Sequence, residues 1–216
     1  YFTLNKPIDI PKLKIMRDPS LIHKIILSKK TLLGVGPMSQ NVVDSTIELS
    51  DNYKIPIILI ASRRQIDSAY HGGGYVNNWK TEEFSSYVKK KSKKNYIFLA
   101  RDHGGPWQNT NEILKKLNLD QAMDSAKKSY RSDILNDFSF LHIDTSVDIF
   151  KKVGIEESLK RVYELYEYCS KLSKDQKKKI LFEIGTEEQS GSTNTFEELE
   201  YLIEKMKLFT SKKNLP

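Results

Sequence analysis

The chain has 216 residues, 38% of them hydrophobic, a formal charge of +7 and a single cysteine, Cys169, which is enough apolar content for one sizeable core and excludes an internal disulfide or a cysteine-rich metal site. No apolar run approaches the roughly 20 residues that span a bilayer, and no secretory signal pattern is read at the start, so the expectation is a soluble, cytoplasmic protein. Its lysines gather as Lys89-Lys90-Lys91, Lys93-Lys94, Lys151-Lys152, Lys177-Lys178-Lys179 and Lys212-Lys213, at helix ends and before strands, and not in the aromatic-interleaved stripe of a nucleic-acid module.

Residues 1–30, with Pro7 and Pro11, read as a lead-in segment, and residues 31–216 as one βα-repeat domain. A strand at 31–35 runs into Gly34-Val35-Gly36 and precedes a helix at 39–49 with an apolar stripe of Val42, Val43 and Ile47. The aliphatic run 55–61 predicts a strand buried on both faces. It gives way to Ser62-Arg63-Arg64-Gln65 and a long loop containing Gly72-Gly73-Gly74. Thr81, followed by Glu82 and Glu83, reads as the N-cap of a helix ending near Lys91.

The third strand, 96–100, runs into Arg101-Asp102-His103-Gly104-Gly105-Pro106 and is followed by helix in two pieces, from about Asn111 to Leu135. The fourth, 138–143, ends in Asp144-Thr145-Ser146 and precedes a helix carrying Ile155, Leu159, Val162, Tyr166 and Cys169. The fifth, 180–184, contains Glu183, and Glu187 and Glu188 follow it. A last helix, capped near Asn194 or Thr195, carries Phe196, Leu199, Leu202, Ile203, Met206 and Phe209.

This alternation predicts right-handed crossovers and a parallel α/β sheet, with the chemistry at the carboxyl ends of the strands. Two architectures fit: an open, doubly wound domain, or the N-terminal five or so units of a TIM (β/α)8 barrel. In an Asp-His pair at a strand end, such as Asp102-His103, the imidazole can offer a nitrogen to a divalent metal while the carboxylate moves a proton. The plain alternative is a loop-capping aspartate beside a hydrogen-bonded histidine. Glu183, between Phe182 and Ile184, is expected to be buried and therefore to need a metal, a cation or a proton.

Asp144 and Ser146 are candidates for binding substrate hydroxyls, with an Asx-type turn as the alternative. Gln65 is a candidate for orienting a polyol, Arg63 or Arg64 for holding a phosphate, and Glu187 is a weaker loop candidate. His142 reads as a satisfied core histidine, His71 as an exposed loop histidine, and His23 carries no signal. The three consecutive glycines offer amides to an anion but lack the Lys-Ser/Thr ending of a nucleotide-binding P-loop.

Gln65 with Gly72-Gly73-Gly74-Tyr75, Asp102-His103-Gly104-Gly105-Pro106, His142-Ile143-Asp144-Thr145-Ser146 and Glu183-Ile184-Gly185-Thr186-Glu187 occur in that order. Together they resemble the family of the non-catalytic subunit of class II D-tagatose-1,6-bisphosphate aldolase, once labelled a tagatose 6-phosphate kinase. That family is itself similar to the zinc-dependent class II ketose-bisphosphate aldolases. The resemblance implies a TIM barrel that continues into further strands, and metal-dependent aldol cleavage of a phosphorylated sugar or a related epimerisation. It implies His103 as a ligand of a divalent metal, zinc in that family, and Asp102 as the acid/base, with the remaining histidine ligands on later strands. It equally implies a non-catalytic barrel that keeps a separate aldolase subunit folded and active. Homo-oligomerisation is the other form of association expected.

Overall fold

Short, largely apolar runs build strands β1 (Leu33–Val35), β2 (Ile57–Ser62), β3 (Ile97–Gly104), β4 (Phe140–Asp144) and β5 (Leu181–Gly185) of the computed structural model, which describes residues 19–185 and 195–216. Helix α1 (Pro19–Leu27) precedes the first strand. The helices between and after the strands are α2 (Gln40–Tyr53), α3 (Thr81–Lys91), α4 (Thr110–Leu114), α5 (Leu119–Leu135), α6 (Ile155–Asp175) and α7 (Phe196–Lys213). Side chains close their N-termini: Ser39 accepts from the Val42 amide, and Asn118 with Gln121 and Thr195 with Glu198 form reciprocal capping boxes. Thr81 does not cap α3. It is the first helical residue, and its hydroxyl turns inward to Asp133 at 3.5 Å and Arg101 at 3.3 Å.

All strand pairs are parallel, and their spatial order is the chain order, β1-β2-β3-β4-β5. That order decides between the two expected architectures. A doubly wound sheet needs a reversal of strand order to place helices on both faces. Right-handed crossovers that always step the same way put every helix on one face, as in a TIM-type barrel.

One core confirms it. Ile57, Leu59 and Ala61 of β2, Ile97 and Leu99 of β3, and Leu141 and Ile143 of β4 pack with Val43, Phe84, Met123, Ile134, Val162 and Cys169 from the helices. Each such side chain, fully buried, contributes on the order of 1.5–3 kcal/mol. The opposite face carries the alternate residues, with Ser62 paired to Asp102 and His142 paired to Glu183 near the carboxyl ends. At the other end of the sheet, Pro19 of α1 shares a cleft with Asn95, Phe138, Ser139 and Ile180, and Ile22 is buried. Among the described residues no helix is long and apolar enough to cross a membrane.

Candidate functional site

The run Arg101 to Gly104 continues β3 beyond its apolar half, and there its ladder with β4 breaks: the register shifts between Arg101 and Gly104. His103 sits at this bulge with φ +42°, in the left-handed region uncommon for a residue with a side chain. Bulges of this kind re-aim side chains at the rims of barrels. The lost ladder bonds are replaced. The His103 amide lies 3.3 Å from His142 Nδ1, which can accept from it only when it is not donating to Asp102, and the buried Tyr130 hydroxyl from α5 faces the Gly104 carbonyl and, at 2.9 Å, the His142 carbonyl.

The bulge brings Asp102, His103 and His142 together, with one potential ligand atom from each lying within 4.8 Å of the others. Asp102 Oδ1 is 3.3 Å from His142 Nδ1 and 3.8 Å from His103 Nε2. The other nitrogen of His103, Nδ1, donates to Asp144 Oδ2 at 2.6 Å. Asp144 is fully buried and also accepts from Gln108 Nε2 (2.7 Å), the Ser146 amide (2.9 Å) and the Ser146 hydroxyl (2.6 Å). A carboxylate that accepts Nδ1–H fixes the imidazole tautomer with Nε2 as the lone-pair nitrogen, as in carboxylate–histidine–metal arrangements.

Two imidazoles and a carboxylate at this spacing suit a divalent transition metal. His142, expected to be a satisfied core histidine, is buried, but its Nε2 has no hydrogen-bond partner among the described residues. Burial acts to raise the Asp102 pKa, but the hydrogen bond to His142 and the charge of His103 outweigh it and hold the carboxyl below its usual range. Burial acts to lower His142, and Asp102, with Glu183 and Asp144, pulls it above the ordinary histidine value.

Asp102 and His103 open onto a cleft of about 380 Å³ that is also lined by Ser62, Arg64, Gln65, Tyr75 and Gln108. Arg64 is exposed there and makes no ion pair with a described residue. Gln65 braces the loop: its Oε1 accepts from the Ser62 amide at 2.8 Å, and its Nε2 approaches Met38 Sδ at 2.9 Å. Ser146 forms the Asx-type turn with Asp144, and Asp144 in turn holds His103.

Several expectations change. Arg63 does not face a phosphate; it is 1% exposed and pairs with Asp67 (3.1 Å) and Glu112 (2.6 Å). Arg101, which opens the polar run at the end of β3, is also structural, bonded to Asp133 through Nε (2.8 Å) and Nη2 (2.6 Å) on the helix side of the sheet. Glu183 is exposed, because β5 is an edge strand among the described residues, so it escapes the desolvation cost that burial would impose. His71 is not a free loop histidine: its Nε2 sits 3.2 Å from the Ser125 carbonyl and 3.3 Å from Arg63 Nη2.

The amides of Gly72, Gly73 and Gly74 are spent on the carbonyls of Ala69, Ser68 and Trp79, which leaves no anion cradle. Glu187 lies outside the described residues. Arg63–Asp67 is a local spacing of four, but no local signal marks the pairs with Glu112 and Asp133, which lie 49 and 32 residues from Arg63 and Arg101. The spacing His142-Ile143-Asp144 was the available hint that His142 shares a face with the site residues.

A sequence-family model described as D-tagatose-1,6-bisphosphate aldolase subunit GatZ/KbaZ-like matches residues 26–207. No curated protein sequence matches significantly. Among solved structures, the chain is similar to a probable tagatose 6 phosphate kinase from Sinorhizobium meliloti 1021, with a TM-score of 0.68 and 18% identity over 85% of this chain and 45% of that one. It is also similar to fructose-bisphosphate aldolase from Campylobacter jejuni, with a TM-score of 0.55 and 14% identity over 88% of this chain and 53% of that one. The chain thus spans about half the length of the solved structures it matches.

Proposed function

The chain belongs to the D-tagatose-1,6-bisphosphate aldolase subunit GatZ/KbaZ-like family, and from that premise we propose that it is a cytoplasmic sugar-phosphate protein with the chemistry of a metal-dependent ketose-bisphosphate aldolase. The observation that carries this reading is the convergence of Asp102, His103 and His142 at the strand ends. His103 and His142 would hold a divalent cation, with Asp102 at its margin. Such a cation, zinc in this reading, would polarise the substrate ketone as a Lewis acid.

The chain's own residues supply the rest. Asp144 orients His103 through Nδ1. Asp102, kept ionised by its histidine neighbours, accepts the hydroxyl proton whose removal accompanies carbon–carbon cleavage and returns it in the reverse direction. Arg64 meets a phosphate at the mouth of the cleft, and Gln65 and Ser62 flank the polyol. Glu183, register partner of His142, adds negative charge on the same face.

A second reading, the partner subunit that keeps a separate aldolase folded, is favoured by the family's description as a subunit and by the exposed Phe196, Leu199 and Ile203 on α7. Elemental analysis and a cleavage assay on ketose bisphosphates separate the two. In the enzymatic reading the protein holds stoichiometric metal that His103→Ala loses, and both His103→Ala and Asp102→Asn lose at least 100-fold in turnover, a scale of about 2.7 kcal/mol. Absence of metal and cleavage in every form would leave the partner role.

A further inference from the structure

The bulge that aims His103 has few ladder bonds of its own, so something outside the sheet must hold the loop that follows. That loop is fastened from β2. Arg63, the residue after the last of β2, donates Nη1 to the Gly105 carbonyl at 2.7 Å across 42 residues of sequence. Its Nε and Nη2 are tied to Asp67 and Glu112 at 3.1 and 2.6 Å, so the guanidinium cannot swing. Asp67 in turn accepts from Asn109 Nδ2 at 2.8 Å, and Glu112 Oε1 accepts from the Ser125 hydroxyl at 2.5 Å, which joins the far end of the loop and α5 to the same hub.

Gly105 then transmits the position. Its backbone lies so close to β4 that a Cβ there would be 1.7 Å from the Asp144 carbonyl oxygen. Asp144 is the residue that orients His103. A rigid fork on one strand tip therefore presses a glycine against the next strand but one, at the residue that sets the imidazole.

We propose that Arg63 is a positioning residue for the Asp102–His103–His142 trio: without touching it, Arg63 sets through Gly105 and Asp144 how the trio meets a divalent cation. Supporting groups of this kind change metal affinity by about 10- to 100-fold when removed. Lysine cannot replace the fork, since its ammonium is a point charge without the planar donor set.

The test uses the full chain with Arg63→Lys, and with Arg161→Lys as the control: Arg161, on α6, is 3% exposed and paired with Asp148 and Glu157, and it meets the loop after β3 at the Trp107 ring and not at Gly105. Two readouts are taken on folded protein, amide exchange of residues 102–105 without metal, which leaves out the Trp107 that Arg161 packs on, and Co²⁺ affinity by titration. The expected result for Arg63→Lys is exchange at least about tenfold faster and Co²⁺ bound about tenfold more weakly, with Arg161→Lys within about twofold of the parent in both.

Unchanged exchange in Arg63→Lys, or equal acceleration in the control, overturns the proposal. The Co²⁺ arm rests on the metal reading above: failure of the parent itself to bind Co²⁺ sinks that reading, while the exchange arm still decides the positioning role. If Arg63→Lys does not fold, Glu112→Gln carries the same test. It keeps the side-chain shape and removes the charge holding Nη2, and about two- to fivefold effects in the same direction are expected; none would count against the hub.

Discussion

At the residue scale, the site depends on charges whose partners were chosen by the fold. His71 is the clearest case. Burial, with Arg63 alongside, outweighs the pull of Asp67, the Ser125 carbonyl and Glu112 and holds its pKa below the ordinary 6.5. A histidine with a folded value below its unfolded one sheds its proton on folding, so its stabilising contribution is complete above about pH 6.5 and is lost as the pH falls through that value towards the folded pKa. Thermal melts of the parent and of His71→Gln between pH 8 and pH 5 should therefore converge at acid pH, the glutamine variant losing less stability on acidification. Parallel curves would show that His71 does not titrate against the Arg63 hub. This behaviour was not legible in the sequence, where His71 is a histidine in a glycine-rich loop. Its contact with Ser125, 54 residues away, comes only with the fold.

At the element scale, α5 does more than cover the sheet. It delivers Asp133 to Arg101, Ser125 and Ser129 to the Arg63 hub, and Tyr130 to the bulge. The Tyr130 hydroxyl faces two carbonyls and can donate to one at a time, so the pair shares a single proton across the break in the β3–β4 ladder. Tyr130→Phe keeps the ring and leaves both carbonyls short of a donor, which should cost about 1–3 kcal/mol. In a chain of this length that is roughly 2–4 °C of melting temperature per kcal/mol, measurable by calorimetry. A neutral substitution would mean that the bulge is held without α5. Helix in two pieces between about Asn111 and Leu135 was expected from the sequence, and α4 and α5 are those pieces. Which of the polar residues of α5 point inward was not readable, because serine, aspartate and tyrosine on a helix face carry no burial signal of their own.

At the scale of the whole molecule, the sequential parallel sheet collects every helix C-terminus on the side where strands begin. Lys89, Lys177, Lys178 and Lys179 line the cleft at that end with Asn95 and Ser139. Part of the positive charge of the sequence is thus placed at the end opposite the strand-tip cleft, where Arg64 is the lining cation. Among the described residues β1 and β5 are the edges of the sheet, and Leu33, Phe196, Leu199 and Ile203 are exposed. Open parallel edges beside exposed apolar side chains template association. Residues 1–216 produced alone should therefore self-associate with rising concentration in sedimentation velocity. A sharp monomer boundary at the highest concentrations would show that these surfaces are satisfied within the chain.

The sequence by itself determined the order of strands and helices, the parallel sheet they imply and the strand tips at which polar residues gather. These follow from local periodicity, glycine placement and the handedness of crossovers, all written within a few tens of residues. Local pattern left the direction of strand stepping open; the family resemblance implied a barrel, and the sequential strand order bears that out over a doubly wound sheet. Tertiary structure decided which of the polar residues line the strand-tip cleft and which hold the frame. Arg63 and Arg64 are neighbours in sequence, yet one is locked in a buried ion-pair hub and the other lines the cleft. His142 looked like core and Glu183 looked buried, and the structure reverses the emphasis: His142 joins Asp102 and His103, and Glu183 is exposed at an edge. The reason is that side-chain direction at a bulge, desolvation and ion pairing depend on partners 30 to 60 residues away, which no local pattern specifies.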